Sequence, residues 1–316
     1  MDHSRIVRIA VVGAGLMGHG IAQEFALADY QVRLHDLSDD RLRTALTDIR
    51  ANLLRLSSMG RLESAQIDPA VAAITVSTDL GRTVAGVELV IEAIVEELGA
   101  KHALLRSLNG LCDGETIIAS NTSSFMPSRL AEAISCPDRL LVAHYFNPPY
   151  LIPLVEIVPG PDTSNETVMT VVGLLRKVGK KPVVLRKEAT GFVGNRLQFA
   201  LFREALAIVA QGIADPEAVD QVVRFGFGRR LAAAGPFEVF DLAGLDTILA
   251  VATQVFPELD TANPTGQPVP ELLLRKVAEG DFGVKSGRGF HEWTAQKADE
   301  LRNRLTRALV QSESTG

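Results

Sequence analysis

The feature that most constrains the fold is a glycine pattern that follows a short apolar segment near the start of the chain. Residues 6–12 are mostly apolar, and Gly13, Gly15 and Gly18 come directly after them. The first glycine allows a tight turn, the second lets a ligand approach the backbone, and the third lets a helix pack closely on the strand. The pattern therefore predicts a strand over residues 6–12, a turn, and a helix over residues 15–28.

A carboxylate after the next predicted strand indicates which ligand this unit binds. The strand covers residues 31–35, and Asp36 follows it. The amino end of the helix attracts phosphate groups, and a carboxylate at this position accepts both ribose hydroxyls and repels the extra phosphate of NADP. Arg33 and Arg41 offer no obvious site for that phosphate. The alternative for Asp36 is that it only caps the next helix. The sequence thus favours NAD, bound by a Rossmann unit through Gly13, Gly15, Leu16, Met17, Gly18 and Asp36.

The rest of the chain divides into two patterns. A polar helical region begins at residue 39, and further strands are predicted at residues 87–93, 116–120, 140–145, 154–158 and 182–185. Strands that alternate with helices form a doubly wound, mainly parallel sheet. After about residue 187, apolar residues recur only at helical spacing. We therefore predict an α/β fold with a Rossmann domain at residues 1–186, followed by an all-helical domain at residues 187–316 for substrate binding and dimerisation.

Composition excludes several classes of function. The net charge is −6, with 47% hydrophobic and 22% charged residues, so no basic surface for nucleic acid or an anionic membrane is expected. The two cysteines, Cys112 and Cys136, have no metal-binding spacing, so we predict no metal site and free thiols in a reducing compartment. No secretory signal and no apolar stretch of membrane length is recognised. We therefore expect a cytoplasmic protein.

Two charged or titratable residues lie in predicted apolar strands. His144 is near the end of LLVAHY, and Glu156 is inside LVEIV. Burying an unpaired charge in such a strand costs roughly several kcal/mol. A histidine is the most economical partner for the carboxylate. The pairing would hold one imidazole nitrogen and leave the other free as a general base. A structural salt bridge, or a histidine buried alone, remains the alternative.

Two polar segments support a catalytic interpretation. Residues 120–124, SNTSS, follow a strand at the position where loops of this fold face a nicotinamide. Asn195, in GFVGNR, begins the helical domain and would project from the start of a helix. Both segments could instead provide ordinary helix caps.

Taken together, these segments resemble the L-3-hydroxyacyl-CoA dehydrogenase family. The resemblance extends over nearly the whole chain and is carried, in the family's order, by VVGAGLMGHGIAQ, VIEAIVEE, ASNTSS, HYFNPP, LVEIV, EATGFVGNRL, GPFEVFDLAGLD and FGVKSGRGF. It implies an NAD-dependent dehydrogenase that acts on a secondary alcohol, with His144 as general base and Glu156 as its orienting partner. It also implies that Ser123 and Asn195 bind the reacting oxygen, and that the nicotinamide side contacts Glu96, Lys101, Asn121, Ser123 and Asn147.

The chain departs from the acyl-CoA members in one segment. Those members usually carry lysines in the helical arm after the second strand, whereas the arm here has no lysine, and its arginines are balanced by acidic residues. The segments NPPYLIPLVEIVP and GFGRRLAAAGPFE are more similar to the branch that includes lambda-crystallin (L-gulonate 3-dehydrogenase). We therefore hypothesise that Arg230 binds the carboxylate of a small 3-hydroxy acid; a surface arginine is the alternative.

Three rival functions stay open at this point. The first is a true 3-hydroxyacyl-CoA dehydrogenase of fatty-acid or butanoate metabolism, and the second is a structural protein recruited from this fold. The third is a dehydrogenase of the 6-phosphogluconate or hydroxyisobutyrate type, which uses a lysine base, whereas the helix start here offers Asn195 and Lys187 lies before it. A homodimer formed through the helical domain is the family expectation. The sequence does not identify the natural substrate.

Overall fold

The computed structural model describes residues 5–231, 233–259 and 271–313, which belong to two compact units, Met1–Asn195 and Arg196–Gly316. The sequence placed the division earlier, at residue 186. The segment that follows residue 186 joins the first unit because Phe192 is buried in its core and the backbone nitrogens of Val193 and Gly194 donate hydrogen bonds to Glu156.

The first unit is built on one sheet of eight strands, in the order β3-β2-β1-β4-β5-β6-β7-β8. Every neighbouring pair is parallel except β6 and β7, which are antiparallel. The strands are β1 (Arg8–Val12), β2 (Gln31–His35), β3 (Ile74–Ser77), β4 (Leu89–Glu92), β5 (Ile117–Ser120), β6 (Leu140–Tyr145), β7 (Leu154–Pro159) and β8 (Lys181–Val184). The predicted doubly wound, mainly parallel sheet is confirmed.

Helices cover both faces of this sheet, because alternate side chains of each strand point to opposite faces. In β1, Ile9 and Val11 belong to one buried apolar cluster, while Ala10 and Val12 belong to the other. The helices of this unit are α1 (Leu16–Leu27), α2 (Asp39–Ser58), α3 (Ile67–Ala72), α4 (Leu80–Val84), α5 (Leu98–Leu111), α6 (Pro127–Ala131) and α7 (Asn165–Lys177). The carboxyl ends of β1, β4 and β5 meet at one edge of the sheet.

The sequence did not predict β3, which is the edge strand beside β2. Only Ile74 of its four residues is buried, and Thr75 and Val76 are exposed. A strand this short, with one buried side chain, lacks the alternation that identifies half-buried strands. Its pairing with β2 decides its conformation.

The second unit is helical in the part of the chain that the structure describes, as predicted. Its helices are α8 (Gly194–Ala210, whose first residues lie in the first unit), α9 (Pro216–Phe225), α10 (Gly228–Leu231), α11 (Pro236–Ala243), α12 (Leu245–Val255), α13 (Glu271–Ala278) and α14 (Ala295–Glu313). Asp215 caps the start of α9, since its Oδ1 accepts a 2.8 Å hydrogen bond from the nitrogen of Ala218.

Among the described residues, no single helix has the length and hydropathy needed to span a membrane. Taken together, Pro236–Ala243 and Leu245–Glu258 have the length and composition of a membrane span. The two segments meet at a bend of 109°.

Candidate active site

The glycine turn between β1 and α1 has three positions with different steric demands. Gly13 has φ +106°, and a Cβ there would lie 2.4 Å from the carbonyl oxygen of Ala93. A Cβ at Gly18 would lie 1.7 Å from the carbonyl oxygen of Gly13, so the close approach of helix to turn requires glycine. A Cβ at Gly15 would meet no protein atom within 4 Å. The turn therefore leaves open space at the amino end of α1, where a pyrophosphate fits.

Asp36 lies at the carboxyl end of β2, beside this turn. One carboxylate oxygen, Oδ2, accepts a 3.0 Å hydrogen bond from the nitrogen of Ala14, and Oδ1 accepts one of 3.3 Å from the nitrogen of Ser38. Both bonds hold the half-buried carboxylate in place. Each oxygen retains acceptor capacity for a ribose hydroxyl.

A cavity of about 710 Å³ joins these groups along the carboxyl edge of the sheet. Its wall includes the predicted residues Gly13, Gly15, Leu16, Met17 and Asp36, and also Leu37, Arg41, Leu80, Val95 and Leu104. An apolar cleft with a few polar groups at fixed positions is typical of a cofactor site. These residues fit the adenosine and pyrophosphate parts of a dinucleotide.

Lys101, predicted to contact the cofactor, is buried between two carboxylates. Its Nζ lies 2.7 Å from Oε1 of Glu92 and 3.2 Å from Oε2 of Glu96, and the side chains of Lys101 and Glu92 are each 1% exposed. Glu92 also accepts hydrogen bonds from the hydroxyl of Ser120 and, at 2.9 Å, from the nitrogen of Ile94. The group therefore connects the ends of β4, β5 and α5.

Sequence analysis missed Glu92, although the signal that identified Glu156 was present there too. Glu92 is a carboxylate within the apolar segment LVIEAI, where it requires a partner. The partner, Lys101, comes from a helix and not from a strand, so no strand pattern pointed to it.

Glu96 organises the loop that follows β5. Its Oε1 accepts hydrogen bonds from the hydroxyls of Thr122 (2.6 Å) and Ser124 (2.7 Å) and from the nitrogens of Ser123 and Ser124 (both 3.0 Å). Partial burial alone would raise the pKa of Glu96, but the hydrogen bonds from Thr122, Ser124 and Lys101 outweigh it and lower that pKa. The carboxylate thus stays ionised and holds the backbone of Ser123.

His144 and Glu156 are direct partners in the antiparallel register of β6 and β7. Nδ1 of His144 lies 2.9 Å from Oε2 of Glu156, and the two residues are 3% and 2% exposed. The rings of Phe146 and Phe192 lie 4.7 and 5.3 Å from the imidazole, measured between centroids. The two aromatic rings therefore exclude water from the pair and fix the plane of the imidazole.

The second oxygen of Glu156 faces the start of α8. Oε1 accepts hydrogen bonds from the nitrogens of Val193 (3.0 Å) and Gly194 (2.9 Å), at the positive end of the helix dipole. Burial alone would raise the pKa of Glu156, but the hydrogen bonds from His144, Gly194 and Val193 leave it lowered. The carboxylate is therefore ionised and acts as acceptor toward Nδ1 of His144.

The remaining predicted residues are divided between the two units. Nδ2 of Asn195 donates to the carbonyl oxygen of Ser123 at 3.3 Å, and Oδ1 of Asn121 accepts a 2.9 Å hydrogen bond from the nitrogen of Tyr145. Contacts thus link the segments that carry His144, Glu156, Ser123 and Asn195, all within the first unit. Asn147 is exposed two residues after β6. Arg230 is an exposed residue of α10 in the second unit.

The fold and this site define a dehydrogenase that binds NAD with a Rossmann domain. Residues 8–189 match the family described as 3-hydroxyacyl-CoA dehydrogenase, NAD binding domain, and residues 191–293 match 3-hydroxyacyl-CoA dehydrogenase, C-terminal domain. The chain belongs to the 3-hydroxyacyl-CoA dehydrogenase family. The cofactor, the enzyme class and the family resemblance inferred from sequence are confirmed.

Individual relatives differ in their named substrates. The chain is 35% identical, over 96% of both sequences, to 5-formyl-3-hydroxy-2-methylpyridine 4-carboxylate 5-dehydrogenase from Mesorhizobium japonicum. A crystal structure of an enzyme of that activity, described as an NAD⁺-dependent dismutase, has a TM-score of 0.89 at 34% identity and covers 98% of this chain and 97% of its own. A probable 3-hydroxybutyryl-CoA dehydrogenase from Bacillus subtilis is 35% identical over 91% of this chain and 98% of its own length. The human lambda-crystallin homolog is 34% identical over 86% of this chain and 85% of its own length.

Proposed function

We propose that this chain is a dehydrogenase of small 3-hydroxy acids that carry a free carboxylate, with His144 as its general base. The observation that carries the proposal is the 2.9 Å hydrogen bond from His144 Nδ1 to the buried Glu156. Among the described residues, Nε2 of His144 has no hydrogen-bond partner. The pair is therefore built to present one basic nitrogen.

In the proposed reaction, Nε2 of His144 removes the proton of the substrate hydroxyl as the alcohol becomes a ketone. Bound NAD supplies the acceptor for the hydride that leaves the same carbon. The negative charge of Glu156 stabilises the imidazolium that forms, and its fixed position keeps the ring oriented. In the direction of reduction, the same imidazolium returns the proton to the oxygen.

Ser123 and Asn195 are the proposed donors to the reacting oxygen. Glu96 fixes the backbone of Ser123, and the side chain of Asn195 lies against the carbonyl oxygen of the same residue. A fixed donor at an oxygen that gains charge in the transition state is worth about 3 kcal/mol. The two residues would then polarise the carbonyl during reduction and stabilise the alkoxide during oxidation.

Two observations favour a free acid over a CoA thioester. The arm that in acyl-CoA members carries lysines is here α2, where Arg43 pairs with Asp40 and Arg50 with Asp68. Its cationic groups are thus partly neutralised by their own neighbours. In addition, the pyridine carboxylate named for the Mesorhizobium relative is a small free acid. For this chain we propose Arg230 as the group that binds the substrate carboxylate.

A substrate panel with NAD tests this proposal, using kcat/KM for free 3-hydroxy acids and for their CoA esters. We expect the free acids to be preferred, and Arg230→Ala to lower kcat/KM for them by about 10- to 100-fold, the value of a hydrogen bond to a charged group. Arg229→Ala, on the same helix, is the matched control. Preference for CoA esters would reject the free-acid proposal. An Arg230→Ala variant equal to the control would reject the role of Arg230 in binding the substrate carboxylate.

A true 3-hydroxyacyl-CoA dehydrogenase of fatty-acid or butanoate metabolism is the second candidate, favoured by the Bacillus relative. The same panel identifies it, because CoA esters would then have the higher kcat/KM. Turnover of either class of substrate would also exclude a purely structural protein of the crystallin type. The cytoplasmic location expected from the sequence stays a prediction.

We further propose a homodimer that forms through the helical unit. Helices α11 and α12 present large apolar side chains to solvent, with Phe237 84% and Leu242 91% exposed. Apolar patches of this kind mark interfaces in soluble proteins, and symmetric dimers are the commonest assembly. Sedimentation at micromolar concentration should give a dimer, and Leu242→Glu should shift it toward monomer. A wild-type monomer at all concentrations would reject the proposal.

A further inference from the structure

Arg41 faces the cofactor cavity together with Asp36. The two residues are five positions apart, at the end of β2 and in the first turn of α2, and both line the cavity of about 710 Å³. Asp36 marks the adenosine end of that cavity, because its carboxylate is placed for the ribose hydroxyls. A cationic side chain therefore borders the same end of the site as the carboxylate that selects NAD.

The neighbouring arginines are engaged elsewhere, whereas Arg41 is not. The guanidinium of Arg33 donates to the carbonyl oxygens of Ala85 (2.7 Å) and Arg82 (3.2 Å), and Arg43 pairs with Asp40. Among the described residues, the exposed side chain of Arg41 has no ion-pair or hydrogen-bond partner. Its five donors and its planar face are thus available to a bound ligand.

We propose that Arg41 is a second cofactor-binding residue and contacts the adenosine half of the dinucleotide. A guanidinium can stack on the adenine ring, and it can bind a phosphate with two parallel hydrogen bonds. Exclusion of the 2′-phosphate of NADP then results from repulsion by Asp36, and not from the lack of a basic group.

Binding of ADP-ribose and of 2′-phospho-ADP-ribose tests the proposal by titration calorimetry. These probes contain neither nicotinamide nor substrate, so the result is independent of the proposed reaction. The variants are Arg41→Ala, Asp36→Asn, which keeps an acceptor for the nitrogen of Ala14, and the double variant. Arg43→Ala, an exposed arginine of the same helix outside the cavity wall, is the matched control.

We expect Arg41→Ala to weaken ADP-ribose binding about threefold to fivefold, with no change in Arg43→Ala. Asp36→Asn should bind 2′-phospho-ADP-ribose at least about tenfold more tightly than wild type, and the double variant should lose that gain. The proposal is overturned if Arg41→Ala binds ADP-ribose as wild type does. It is also overturned if Asp36→Asn gains no affinity for the phosphorylated probe, or if the double variant keeps the gain.

Discussion

Glu156 Oε2 lies 2.9 Å from Nδ1 of His144, and the antiparallel pairing of β6 with β7 makes the two residues direct neighbours. The other oxygen of the same carboxylate accepts the backbone nitrogens of Val193 and Gly194. One side chain therefore orients the proposed base and also anchors the start of α8. Its substitution should affect both the reaction and the stability of the protein.

The first prediction concerns catalysis. His144→Gln and Glu156→Gln should each lower kcat by about 10²- to 10⁴-fold, because the first removes the base and the second removes the charge that supports the imidazolium. NADH affinity, measured by fluorescence titration, should stay at the wild-type value in both. Full turnover by His144→Gln would contradict the mechanism.

The second prediction concerns the pH dependence of stability. The pKa of Glu156 is lowered in the folded state from its ordinary value of 4.5, so the carboxylate stabilises the fold above that pH. The stabilisation is lost as the pH falls through the lowered pKa. Urea unfolding of wild type and Glu156→Gln between pH 3 and 7 should therefore give a difference in free energy that is constant at about pH 6 and shrinks below about pH 4.5. A difference that does not change with pH would show that the charge of Glu156 does not stabilise the fold.

The third prediction compares two glycines of the same turn. Gly18→Ala should destabilise the first unit, since its Cβ would lie 1.7 Å from the carbonyl oxygen of Gly13. Gly15→Ala meets no protein atom within 4 Å, so it should keep the wild-type melting temperature but bind NADH more weakly, because the methyl group enters the space for the pyrophosphate. Calorimetric melting and NADH titration distinguish the two effects. Wild-type NADH affinity in Gly15→Ala would mean that the pyrophosphate does not approach this position.

The fourth prediction concerns the buried group of Lys101. Lys101→Met should lower the free energy of unfolding by about 3–5 kcal/mol, because it leaves Glu92 buried without its cation. Adding Glu92→Gln to that variant should restore part of the loss, since the second change removes the unpaired charge. Urea denaturation measures both. If the double variant were less stable than Lys101→Met, the cost would not come from the unpaired carboxylate.

Local patterns in the sequence were sufficient for the nucleotide unit and for the positions of most strands along the chain. Glycine spacing depends on backbone sterics within a few residues, so Gly13, Gly15 and Gly18 could be interpreted without long-range information. The pairing of His144 with Glu156 was also inferred, because each is a polar group in an apolar strand. Only the tertiary structure decided which strands are antiparallel and placed the two residues in register.

The remainder depended on contacts between segments that are distant in the sequence. A lysine side chain usually lies at the surface. Lys101 is nevertheless buried, because two carboxylates from other segments meet at its ammonium group. The edge strand β3 forms through its pairing with β2, and the first unit extends to Asn195 because Glu156 binds the start of α8. The sequence by itself determined the cofactor, which follows from the short-range geometry of the glycine turn, and the class of enzyme, which the family resemblance implied. Only the tertiary structure decided which charges are desolvated and which partners satisfy them, because burial and pairing are properties of the packed chain.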